Sequence, residues 1–120
     1  MLSENAVKYY RNGYNCSKCI IKAAEDEYGI RAGDTALRMM GAVNNGFGIG
    51  VMCSVPIACV AVLGALYKDE AVLKRKRLDF LVKFRKEFGS YNCSEILPRI
   101  STCEMVIAGG CNILSGIVGK

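Results

Sequence analysis

Between Met39 and Tyr67 the chain runs for 29 consecutive residues without a formal charge, in a protein of 120 residues. A stretch of that length either spans a membrane or is buried within a fold. Its first part, Gly41 to Gly50, is rich in Gly and Asn, and Pro56 breaks the remainder. What is left is too short and too rich in Ala, Cys and Gly for a span. The expectation is a helix from about Ser54 to Tyr67, buried on all sides in a small helical bundle instead of spanning a membrane.

The flanking segments carry helical periodicity. Ala6, Val7, Tyr9 and Tyr10 belong to a first helix that stops at Asn12-Gly13. In a second, Cys16, Cys19, Ile20, Ala23 and Tyr28 repeat at i, i+3, i+4, which turns both cysteines inward and leaves Lys18, Lys22, Glu25 and Asp26 in water. Gly29 closes it, and Asp34 reads as the N-cap of a third helix through Met40. A long helix from about Glu70 to Phe88 places Leu73, Phe80, Leu81, Phe84 and Phe88 on one face. A short helix stops before Pro98, and the last begins near Ser101 or Thr102 with Cys103, Val106, Ile107, Cys111, Leu114 and Val118 inward. No strand signal appears. The fold class is all-α, a compact bundle of about five or six helices in one domain over residues 1–120.

The net charge of +5 concentrates between Lys68 and Lys86, including Lys74-Arg75-Lys76-Arg77. With the apolar stripe behind it, that run is the wet face of an amphipathic helix, with no aromatic platform for nucleic acid. It suits electrostatic docking to an acidic redox partner.

Seven cysteines and no histidine direct the chemistry toward thiols. The opening Met1-Leu2-Ser3-Glu4-Asn5-Ala6 lacks the form of a secretory signal, so a cytoplasmic location is expected. In that reducing compartment an odd number of cysteines points to metal binding or redox exchange. The tetrapeptide Tyr-Asn-Cys-Ser occurs at Tyr14–Ser17 and again at Tyr91–Ser94, each time after a glycine that ends an amphipathic stretch. Asn before Cys is the order of a loop giving way to a helix, and unpaired N–H groups at a helix start favour a thiolate. Cys53, just ahead of Pro56, has a similar setting, preceded by Gly46-Phe47-Gly48-Ile49-Gly50, whose glycines permit positive φ and close approach of another backbone. The absence of His excludes a Cys–His nucleophile. Cys16 and Cys19 form a Cys-x-x-Cys pair at a helix start, suited to metal-free dithiol–disulfide exchange as attacking and resolving thiols. Cys59 and Cys111 read as core residues.

In this order, the motifs resemble the C_GCAxxG_C_C family of redox-active proteins, small helical proteins with four characteristic cysteines. The likeness is carried by Gly13-Tyr14-Asn15-Cys16, by Gly46 to Cys53 with the apolar helix behind it, by Asn92-Cys93-Ser94-Glu95-Ile96-Leu97, and by a last helix opening with Cys103. Behind Cys53 the chain departs from the family's small-residue pattern, reading Ser54-Val55-Pro56-Ile57-Ala58. The resemblance implies that Cys16, Cys53, Cys93 and Cys103 are the functional set. Four converging thiolates would satisfy an iron–sulfur cluster, most simply a two-iron one, for electron transfer or redox sensing. The same four would also satisfy a structural zinc site. Ala108-Gly109-Gly110 and Gly116 permit close helix contact and are compatible with a homodimer.

Overall fold

Apolar stripes separated by glycine stops fold into helices that lie back against one another. The computed structural model describes residues 1–100 and 102–119. Among them stand seven α-helices: α1 Leu2–Arg11, α2 Lys18–Tyr28, α3 Gly33–Gly41, α4 Ser54–Leu66, α5 Glu70–Phe88, α6 Cys93–Ile100 and α7 Cys103–Val118. The count exceeds the five or six expected for the bundle, and each of the seven falls on one of the helical segments read along the sequence. α7 packs against α1, α4, α5 and α6, and α2 packs against α1, α3 and α4. Phe80, Phe84 and Phe88 descend one face of α5 at four-residue spacing, with ring centroids 5.9 and 4.7 Å apart. Each contributes about 1.5–3 kcal/mol by burial. The facing basic residues Lys74, Arg75 and Arg77 are exposed, whereas Lys76 Nζ turns back to the Ile117 carbonyl at 3.0 Å, near the end of α7.

Several local expectations change. Helix α3 begins at Gly33, so Asp34 lies in the first turn instead of capping it. Helix α6 does not stop before Pro98; the proline sits inside it, exposed, with the Ser94 end also open to water to solvate the carbonyl left without a donor. Ser101 lies outside the described residues; α7 is capped by Thr102, whose Oγ1 accepts the Met105 N–H at 3.3 Å. Helix α4 is not buried on all sides. Val55, Cys59, Val62 and Leu63 are covered, but Ala61, Gly64 and Ala65 face out. A groove of about 470 Å³ separates α4 from α3 there, with Met40 and Ala36 opposite Ala61 and Ala65. No single helix among the described residues is long and apolar enough to cross a membrane.

Gly109 and Gly110 of α7 serve packing within the chain, whereas Gly116 is exposed with open space around it. A Cβ at Gly110 would stand 2.6 Å from Val55 Cγ1, and one at Gly109 would stand 2.5 Å from the Phe88 ring. The close helix contact that these glycines allow is therefore made with α4 and α5.

Candidate functional site

The two Tyr-Asn-Cys-Ser copies seat the tyrosine alike and open a helical turn at the asparagine, but only Asn15 caps that turn with its side chain. In each, the tyrosine lies against an aromatic ring of the preceding helix: Tyr14 meets Tyr9 edge-on at 5.4 Å, and Tyr91 stacks on Phe84 at 6.3 Å. Tyr91 also donates its hydroxyl to the Leu81 carbonyl at 2.8 Å. The asparagine then starts the next helical turn. Asn15 Oδ1 accepts the N–H groups of Ser17 and Lys18 at 3.2 and 2.9 Å, and its carbonyl accepts that of Cys19 at 3.0 Å. Cys16 is thus the first residue inside the capped turn. At the second copy Glu95 reaches back to accept from the Ser90 hydroxyl and the Asn92 side-chain amide at 2.6 and 3.0 Å, while the Asn92 backbone N–H donates to Ser90 Oγ at 3.0 Å. Glu104 instead pairs with Arg11 at 2.8 Å.

A two-bond antiparallel bridge brings Cys53 beside Cys93. Met52 faces Asn92, the Cys53 N–H donates to the Tyr91 carbonyl at 2.6 Å, and the Cys93 N–H donates to the Val51 carbonyl at 2.8 Å. The glycine-rich turn makes this approach possible. Val51 N–H closes a wide turn onto the Gly46 carbonyl at 3.2 Å, and a Cβ on Gly46, at φ 60°, would stand 2.6 Å from Val51 N. Only glycine fits there. The expected positive φ and close backbone approach are both present, with Asn45 and Phe47 also left-handed at 55° and 63°.

Cys16, Cys53, Cys93 and Cys103, from the starts of four different helices, line one enclosed cavity of about 20 Å³ walled by Val55, Ile96, Leu97 and Val106. Cys53 and Cys16 are buried, and Cys93 and Cys103 are partly open. Cys93 lies beside Cys53 across the backbone bridge, and Tyr10 lies near Cys103. Cys16 Sγ lies 3.0 Å from Asn44 Oδ1 and 2.7 Å from Ser54 Oγ. Tyr10, Asn44 and Ser54 were not legible as site residues. A hydroxyl opening an otherwise apolar helix was the available signal for Ser54; the other two reach the site only through the fold.

Burial decides the electrostatics. It pushes Cys53 up to about 12, and it raises Cys93 and Cys103 as well. The expectation that a helix start would favour the thiolate fails at Cys93 for a second reason: its backbone N–H is already spent on Val51. Cys19 fares worse as a resolving thiol. It is wholly buried, its Sγ–H points at the Cys16 carbonyl at 3.4 Å, and desolvation raises it further than Cys53. Cys59 and Cys111 are wholly buried core residues, as expected.

The donor set has the number and softness that a cluster or zinc requires. Among the described residues no three His, Cys, Asp or Glu side chains are placed to hold a metal ion. The cavity has room for about one water-sized body, whereas a two-iron cluster brings four inorganic atoms.

A family model described as "Putative redox-active protein (C_GCAxxG_C_C)" matches residues 14–117. The chain belongs to this family. The C_GCAxxG_C_C match runs from the first Tyr-Asn-Cys-Ser copy almost to the end of α7 and includes all four cavity cysteines. No curated protein and no solved structure matches the chain.

Proposed function

We propose that the four-thiol cavity is the redox centre of this protein and that it works by dithiol–disulfide exchange, with Cys93 as the attacking thiol and Cys53 as the resolving one. The backbone bridge that sets Cys93 beside Cys53 at one cavity carries this reading, because it puts a partly open sulfur next to a buried one. The thiolate of Cys93 attacks one sulfur of a partner's disulfide, and the partner's other sulfur leaves as a thiolate and takes a proton. Cys53, losing its proton, then attacks Cys93 Sγ and releases the partner's remaining sulfur as a thiol. Two protein thiols become one disulfide while one partner disulfide becomes two thiols. The exposed cations Lys74, Arg75 and Arg77 suit an acidic partner, and seven free thiols suit the reducing cytoplasm, where we place the protein.

A second reading is an iron–sulfur protein, favoured by the convergence of four thiols on one cavity. Purification without oxygen, followed by a visible spectrum, metal analysis and disulfide mapping, separates the two. A colourless, metal-free protein that oxidises to a Cys53–Cys93 disulfide supports exchange. Brown protein with iron and acid-labile sulfide establishes the cluster instead, and zinc alone makes the site structural.

A further inference from the structure

Cys16 is held differently from its three neighbours in the cavity: its polar partners are an amide and a hydroxyl. Asn44 Oδ1 can only accept; with the Cys16 proton given there, Ser54 is the donor of the second contact, in which either atom can serve. Ser54 is wholly buried, and its position follows Cys53 directly. One short segment therefore carries both the resolving sulfur and the hydroxyl that holds a third sulfur at the same cavity.

We propose that Cys16 is an internal relay thiol and that Ser54 is its positioning residue. This rests on the exchange reading above. After a Cys53–Cys93 disulfide has formed, Cys16 passes its proton out and its thiolate attacks Cys53 Sγ. A Cys16–Cys53 bond forms, the Cys53–Cys93 bond breaks, and Cys93 leaves as a thiolate that takes up a proton. The oxidation state of the protein is unchanged, so no further oxidant is needed. Cys93 is the sulfur expected to leave, being more open than Cys53 and less burdened by desolvation. The result moves the disulfide inward and restores the outer thiol for another encounter. Through the transfer, the Ser54 hydroxyl donates to the attacking thiolate, a charge-assisted bond that the neutral thiol has only weakly.

The test uses metal-free protein oxidised with excess glutathione disulfide, quenched in acid at successive times, alkylated and mapped by mass spectrometry. The relay predicts a Cys53–Cys93 linkage that appears first and a Cys16–Cys53 linkage that grows from it. Ser54→Ala should keep the first and slow the second about tenfold, and Ser54→Thr, which retains the hydroxyl, should recover most of the rate. A wild-type map with Cys53–Cys93 alone overturns the relay while leaving exchange intact. A map without Cys53–Cys93 overturns the exchange reading itself. An unslowed Ser54→Ala removes Ser54 from its role. The wild-type map decides the relay even if neither variant folds.

Discussion

Ser54 Oγ stands 2.7 Å from Cys16 Sγ, across 37 intervening residues of chain. That contact ties the start of α4 to the turn that opens α2. The cavity is thus assembled from helix starts brought together by a bridge, a buried hydroxyl and the packing of α7.

The division of labour between Cys93 and Cys53 is directly testable. Cys53→Ser should trap a mixed disulfide between Cys93 and a thiol reagent, because nothing remains to resolve it at that pair. Cys93→Ser should form at least tenfold less of that adduct, since Cys16 and Cys53 are buried and Tyr10 lies beside the part-open Cys103. Intact-mass spectrometry of the two variants after exposure to glutathione disulfide reads both outcomes, and equal adduct in both would refute the assignment.

Cys19→Ser should behave as a core change. Placing a hydroxyl in a wholly buried apolar site costs about 1–3 kcal/mol of stability, while the Cys53–Cys93 exchange rate stays within about twofold. Urea denaturation and the exchange assay, run side by side, check this. Lost exchange in a stable variant would return the Cys-x-x-Cys pair to the centre of the mechanism.

Alkali should weaken the fold under reducing conditions. Cys53 and Cys111 are each raised from the ordinary thiol value of 9.0 to about 12 by burial. The unfolded chain therefore loses these protons first, and stability that is complete below about pH 9 falls as pH rises toward 12. The slope is about 1.4 kcal/mol per pH unit for each group within that window. Denaturation midpoints measured with reductant from pH 7 to 11 should be level at first and then decline; a flat profile to pH 11 contradicts the burial of these thiols.

Gly46→Ala should be costly at a distance from any sulfur. The new Cβ meets the Val51 backbone at 2.6 Å with φ at 60°, and about 1–3 kcal/mol of stability should be lost. Because Val51 accepts the Cys93 N–H, the Cys53–Cys93 pair should separate as well. A lowered Tm together with slower formation of that disulfide is the expected result, whereas a lower Tm with unchanged oxidation would uncouple the turn from the site.

Asn15→Ala tests the cap. Two N–H groups lose their acceptor, so about 1 kcal/mol should go, measured as a shift in Tm. An unchanged Tm would mean that Asn15 contributes no cap.

Local chemistry was sufficient for the helices. The stripe of Phe80, Phe84 and Phe88, the stops at Gly13, Gly29 and Gly89, and the Asn-Cys starts depend on neighbours within a few residues, so the all-α class and the boundaries of α2, α4 and α5 were legible in the sequence. The family's four cysteines were legible too, by their order along the chain. Tertiary structure alone decided what those sulfurs meet. The Met52–Asn92 bridge, the Ser54 and Asn44 contacts with Cys16, and the Tyr10 contact with Cys103 all join distant segments. It also reversed the local electrostatic expectation. A helix start stabilises a thiolate by about 1 kcal/mol through its dipole, but removing the sulfur from water costs more, and burial is a property of the packed whole.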